Sequence, residues 1–421
     1  MEIQKLMNNH LKEYEYNNNL KYYLFKFIEK IKKFISIELY HKNLLYILIM
    51  ILLCIIIFSY YKKSNLIKYK NYIKDCKNLK RYYINKNITN RKPYISICLP
   101  VYNMEKYIER ALLSIINQSF QDFEIIIVND NSNDKTENII KNLHFKENRL
   151  KIIKNNRNLG VYISRIEAIK YAKGEYILLM DPDDMIINPE LFELLYNFNI
   201  NYNLDIIEFS VLHQIEKRQN LYYPRNHILN HYHNFEKKII YQPELSNIVF
   251  YKPNTKYYSY VICRTIWNKL IRKKILIKTI NYIEKDFHDK FLITADDTPL
   301  NIISFNFASN YSNINLPGYL YNIRKNSMSN GSNGIKHDII VSINYLLYFK
   351  LFYRYIKDYK KDLNFLYYDI KFLSEYLLKI KKLNVLEYIP IIKDFFICLI
   401  NEENISKEFK RYINRLLLYF E

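Results

Sequence analysis

The residues most capable of chemistry are three carboxylates in four positions, Asp181, Asp183 and Asp184, with only Pro182 between the first two. They follow an apolar run, Tyr176 to Met180. Like charges held this close repel one another unless a cation offsets them. Hard oxygen ligands in a short cluster suit Mg²⁺ or Mn²⁺, ions that usually arrive with phosphate. An acidic turn after a strand is the plain alternative. Other metal chemistry finds little footing. The five cysteines are scattered without a CxxC pair, which points to free thiols, and His231 and His233 have no third ligand at suitable spacing.

The elements that must position the acids are legible upstream. Apolar runs begin at Tyr94, Phe123, Leu150 and Tyr176, so they start 26 to 29 residues apart, one βα unit each. A short run with no polar face is a strand buried on both sides of a sheet. The stretches between carry helical spacing. Asn103 can cap a helix whose Ile108, Ala111, Leu112 and Ile115 share a face, Ser132 opens a second helix, and a third spans about 161–172. Successive units of this length predict an α/β fold with a mainly parallel sheet and right-handed crossovers. Each strand ends in polar residues: Pro100-Val101-Tyr102-Asn103, Asn129-Asp130-Asn131-Ser132, Lys154 leading to Asn158-Leu159-Gly160 and Arg165, and then the acids. Ligands of open α/β sheets bind beyond such carboxyl ends, so four polar tips in succession predict one continuous rim.

The remainder of the 421 residues divides by composition. Residues 1–43 form a basic tail. Residues 44–61 are an uncharged apolar run that would span about 27 Å as a helix, close to the thickness of a bilayer's hydrocarbon, and they predict a transmembrane helix. Lysines flank the run on both sides, with a small excess after it that leans towards a cytosolic C-terminal body; the lumen of a secretory membrane is the alternative. Residues 62–92 read as a basic stalk, 93–334 as the α/β domain and 335–421 as a C-terminal helical region. The net charge of +21 is spread through every segment, with no clustered basic helix bearing aromatic platforms, so nucleic acid is not the expected partner.

Four motifs, SICLPVYN (Ser96–Asn103), IIIVNDNSNDKT (Ile125–Thr136), NLGVYISR (Asn158–Arg165) and KGEYILLMDPDD (Lys173–Asp184), occur in this order. Trp267-Asn268-Lys269-Leu270, Ala295-Asp296-Asp297 and Tyr321-Asn322-Ile323-Arg324 with Ser327 follow them. In these residues the chain resembles glycosyltransferase family 2, inverting nucleotide-sugar-dependent enzymes of the GT-A fold. The resemblance covers roughly 93–330. It implies a Rossmann-like, mainly parallel sheet flanked by helices, with the N-terminal membrane helix and the C-terminal helical appendage outside it.

The resemblance also implies roles. Pro100, Val101, Tyr102, Asn103 and Asp130 match the pocket for the nucleotide base. Lys154 and Arg165 stand where the family holds nucleotide and phosphate. Asp181 matches the ribose-side acid and Asp183 the metal-binding acid of the DXD motif, and Mn²⁺ or Mg²⁺ is the implied cofactor. Asp297, next to Asp296, matches the base that deprotonates the acceptor. Asp184 is left a structural part. Trp267 is either a core anchor or a sugar platform, Lys269 meets an acidic substrate or solvent, and Arg324 stands on the diphosphate side, before the loop 330–334 that could act as a lid. No Gln-x-x-Arg-Trp follows the base, which by the same likeness implies a non-processive enzyme.

The chain departs from the family pattern in three places. Asn129 precedes Asp130, Asp296 stands for the commoner Glu, and Ser164–Ala168 keeps only Arg165 of its motif. A catalytically degenerate nucleotide- or glycan-binding membrane protein is therefore the competing reading. The acceptor is a glycan, a protein or a polyprenyl phosphate, and the sequence does not choose among them.

Overall fold

A computed structural model describes residues 92–215, 221–222, 239–242, 245, 265–287, 297–324, 351, 353–355, 357–359, 389–402 and 405–420. These belong to one compact unit of the chain, 72–421. The expected membrane helix at 44–61, Asp296, Ser327, the histidines at 231 and 233 and the loop 330–334 lie outside the described residues. Among the described residues no helix is long and apolar enough to cross a membrane.

Strands β1 (Ile95–Val101), β2 (Phe123–Asn129), β3 (Leu150–Lys154) and β4 (Tyr176–Leu179) form the first half of the sheet in the order β3-β2-β1-β4. All three pairings are parallel. Every residue of β1, β2 and β4 is buried, as runs covered on both faces must be. Helices α1 (Ile108–Ile116), α2 (Thr136–His144) and α3 (Val161–Tyr171) make the crossovers. Side chains of β1 alternate between two cores. Ile95, Ile97, Leu99 and Val101 join α1, α2 and α4 (Leu191–Tyr202), while Cys98 joins α3, α5 (Lys273–Phe287) and α6 (Asp297–Phe307).

The second half departs from the mainly parallel expectation. The sheet continues β4-β9-β6-β10-β5, built from β5 (Met185–Ile186), β6 (Ile206–Ile215), β9 (Lys269–Arg272) and β10 (Asn310–Ile323). Strand β9 is antiparallel to both neighbours, β4 and β6; β10 is parallel to β6 but antiparallel to β5. Two short strands, β7 (Leu221–Tyr222) and β8 (Ile240–Tyr241), pair at the margins. After β4 the chain reaches β5 in five residues, and β5 pairs not with β4 but with β10 at the far end of the sheet.

The C-terminal helices α7 (Ile389–Ile400) and α8 (Lys407–Phe420) do not stand apart. Phe396, Leu399, Phe409, Ile413 and Leu416, with Leu351 and Tyr355, lie in the same core as α3, α5 and α6. Tyr282 of α5 donates to Asp358 at 2.7 Å, and Arg354 donates to the Tyr282 carbonyl at 2.8 Å. The region read as an appendage thus supplies one wall of the core behind the sheet.

Candidate active site

The site forms at the carboxyl ends of β1 to β4, and backbone bonds join the tips. Met180 N–H donates to Cys98 O, Asp130 N–H to Val101 O and Asn155 N–H to Asn129 O. Pro100 and Val101 are buried at the end of β1, Tyr102 is half-buried and Asn103 is exposed. Asn103 turns the chain with φ of +52°, a left-handed conformation that Asn tolerates better than most residues. Its side chain accepts Asn133 N–H at 2.9 Å, and its own N–H donates to Ser132 Oγ at 3.1 Å. Two further bonds, Met104 N–H to Thr136 and Glu105 N–H to Asp134, zip the loops after β1 and β2 together.

Asp130 is buried against the start of α3. Its Oδ1 accepts Asn155 Nδ2 and Leu159 N–H, and Oδ2 accepts Gly160 N–H, each at 2.8 Å. A carboxylate offers about four lone-pair directions, so these three bonds leave one for a ligand. Gly160, at φ of +89°, lets the backbone turn both amides onto the acid. Lys154 is exposed at the tip of β3 and donates to Glu137 of α2 at 2.7 Å.

Arg165 unites the acids from distant parts of the chain. Its side chain is almost wholly buried. Nη2 donates to Asp181 Oδ1 at 2.8 Å and Nη1 to Asp297 Oδ1 at 2.6 Å, so the two carboxylates stand one guanidinium apart. Asp297 is the first residue of α6, where unpaired amides and the helix dipole favour an anion. Asp183 accepts Arg324 Nε at 2.6 Å through Oδ2, and its carbonyl accepts Arg110 Nη2 at 2.5 Å. Both guanidinia lie against the Tyr107 ring, Arg324 at 4.8 Å and Arg110 at 5.3 Å from its centroid. Burial works against the Arg324 charge, but the Asp183 carboxylate and Tyr107 together outweigh it and raise its pKa.

Asp184 behaves differently from its neighbours. Burial, then the charges of Asp183 and Asp181, push its pKa well above the usual carboxylate range. It accepts Tyr319 Oη at 2.8 Å and Asn322 N–H at 2.8 Å, both from β10. Trp267 is 5% exposed and stacks on Tyr319 (4.7 Å, 20°) and Tyr321 (5.4 Å, 6°), which makes it a core anchor. Lys269 faces neither substrate nor solvent. It has no exposed surface and donates to Thr265 O at 2.6 Å and Asn268 Oδ1 at 3.0 Å, with Glu208 3.5 Å away. A lysine in a strand next to a tryptophan gives no sign in sequence that a glutamate on another strand will neutralise it.

The acids fit a divalent cation by donor chemistry. Mg²⁺ and its like bind through one or two carboxylates plus substrate phosphates rather than an all-protein cage. Asp181 and Asp183 offer hard oxygens of that number. Among the described residues no group of three or more His, Cys, Asp or Glu is set to hold a metal. Sequence reasoning passed over Arg110, Tyr107 and Tyr319. The i, i+3 spacing of Tyr107 and Arg110 was the available signal for the first two.

Residues 96–279 match the glycosyl transferase family 2 domain. An uncharacterized glycosyltransferase of Methanocaldococcus jannaschii is 32% identical over 239 residues, covering 56% of this chain and 77% of the relative. A GalNAc(5)-diNAcBac-PP-undecaprenol beta-1,3-glucosyltransferase of Campylobacter jejuni is 33% identical over 111 residues, 26% of this chain and 36% of its own length. Among solved structures, that of S. aureus TarS 1–349 in complex with UDP-GlcNAc aligns with a TM-score of 0.49 at 18% identity, covering 78% of this chain and 89% of that one. The chain belongs to glycosyl transferase family 2, and it is a glycosyltransferase that draws on a nucleotide-sugar donor.

Proposed function

We propose that the enzyme transfers a sugar from a nucleotide-diphosphate sugar, a UDP-sugar first among them, to an acceptor hydroxyl in one inverting, non-processive step. The observation that carries this reading is Arg165, which joins a donor-side acid, Asp181, to Asp297, itself 132 residues beyond the arginine in sequence. A donor whose diphosphate lies along Asp181 and Asp183 then presents its anomeric carbon to an acceptor held at Asp297. The acceptor oxygen forms the new bond as the bond to the diphosphate breaks, and Asp297 takes the hydroxyl proton. The Pro100–Asn103 wall and the remaining lone pair of Asp130 receive the base. Arg324, beside Asp183, adds positive charge where the leaving group develops its negative charge. When bound by Asp183 and Asp181, Mn²⁺ or Mg²⁺ supplies Lewis-acid neutralisation of the diphosphate.

The acceptor class and the anchor are read from sequence and from the relatives. An uncharged run at 44–61 suits a single-pass membrane protein with its catalytic body on the cytosolic face. The Campylobacter relative acts on an undecaprenol-linked glycan by its name, and a lipid-linked glycan fits a tethered enzyme. The test is a panel of nucleotide sugars given to the full chain with Mn²⁺ or with chelator, with product anomers read by NMR. Metal-dependent release of nucleotide and an inverted product are expected. A retained anomer, or turnover unaffected by chelator, overturns the inverting or the metal-assisted part of the reading.

A further inference from the structure

The acid turn 181–184 is bound to one strand of the sheet's far half. Tyr319 of β10 has no exposed surface, and its hydroxyl does two jobs. It accepts Asp181 N–H at 3.1 Å and donates to Asp184 Oδ2 at 2.8 Å. Three residues on, Asn322 N–H holds the other oxygen of Asp184, and just past the strand Arg324 holds Asp183. Strand β5 pairs antiparallel with Tyr319 and Leu320 directly after the turn. The Tyr319 ring is itself fixed by the stack on Trp267. A backbone amide and a carboxylate of one turn, bridged by a single buried hydroxyl, leave that turn little freedom to change the spacing of Asp181 and Asp183.

We propose that Tyr319 is a positioning residue for donor binding: its hydroxyl sets the geometry of Asp181 and Asp183, and Trp267 holds the ring that carries it. This rests on the donor reading above. The substitution Tyr319→Phe keeps the ring and the stack and removes only the hydroxyl. Tyr311→Phe is the comparator, since Tyr311 is a buried tyrosine of the same strand whose hydroxyl donates to Glu208 instead, at 3.0 Å.

The readout is the Kd for UDP in the presence of Mn²⁺, measured by calorimetry on the full chain, beside the thermal midpoint. Tyr319→Phe is expected to weaken Mn²⁺–UDP binding about tenfold, while Tyr311→Phe lowers the midpoint comparably and leaves Kd unchanged. Equal Kd values for wild type and Tyr319→Phe, with both variants less stable, make the hydroxyl a stability element and overturn the proposal. Trp267→Phe, which loosens the ring and keeps the hydroxyl, is expected to weaken binding about threefold. It carries the test if Tyr319→Phe does not fold, and an unchanged Kd there overturns the proposal as well. Wild-type chain that binds no Mn²⁺–UDP fails the donor reading itself, a result distinct from binding that Tyr319→Phe leaves untouched.

Discussion

Two buried carboxylates, Glu124 at the amino ends of the parallel strands and Asp184 at the carboxyl ends, are driven in opposite directions. Glu124 accepts Ser96 Oγ at 2.6 Å from β1, Lys173 N–H at 2.5 Å and Gly174 N–H at 3.2 Å from the entry to β4, and the ammonium of Lys151 from β3. Burial pushes its pKa up, but these donors outweigh burial and hold it below the usual range. The packing is close enough that a Cβ at Gly174 would stand 2.5 Å from Ser96 Oγ. Asp184 sits among other acids and is pushed up. One end of the sheet concentrates donors on a single acid and gains stability. The other concentrates acids and holds them with Arg165, Arg324 and Tyr319, an arrangement that costs stability and that the proposed function assigns to the donor.

The sharpest way to break this contrast is to remove an acid from each end. Asp183→Ala is expected to lower turnover by roughly 10²–10⁴-fold with little change in thermal midpoint, since in the proposed function the metal and leaving-group charge lose a main protein partner. Steady-state kinetics beside thermal denaturation checks both halves. Glu124→Ala should do the reverse, costing about 3 kcal/mol by leaving four donors without their acceptor, while turnover per folded molecule stays near wild type. Urea denaturation with active-site titration reads it.

A smaller effect follows from pH. The Glu124 pKa is depressed in the folded state, so its stabilisation is fully present above the unfolded value of about 4.3 and is lost as pH falls through the folded value. Denaturation of the wild type between about pH 5 and pH 3 should therefore show a steeper loss of stability than Glu124→Gln. The smallest effect is expected of Asp184→Asn, because an amide relieves the repulsion from Asp183 and Asp181 and its oxygen still accepts Asn322 N–H, which offsets the lost bond from Tyr319. A stability change under about 1 kcal/mol by urea denaturation, with turnover falling less than about tenfold where Asp183→Ala falls far more, would set Asp184 apart from Asp183.

The legible part of the molecule is its parallel half. The strands read as starting at Tyr94, Phe123, Leu150 and Tyr176 begin at Ile95, Phe123, Leu150 and Tyr176, because β1, β2 and β4 are buried on both faces and mostly apolar, and edge strand β3 keeps Leu150, Ile152 and Ile153 among its lysines. The polar tips were visible for the same reason: the apolar run stops where the sheet does. The mixed half was obscure. Strand β5 has two residues and β9 four, and β9 carries a buried Lys269 whose partner Glu208 lies on β6. Pairings of that kind depend on contacts distant in sequence, and no local period announces them. The same holds for Tyr319, one of many tyrosines until β10 meets the acid turn.

The most direct test of the central claim, that donor acids and base share one pocket joined by Arg165, is Asp297→Asn. Its Mn²⁺–UDP affinity and its transfer rate should be measured on the same preparation. Affinity within about threefold of wild type, with transfer reduced roughly 10²–10⁴-fold, is the predicted result. Transfer at the wild-type rate would contradict the assignment of Asp297 as the base and with it the single-pocket account.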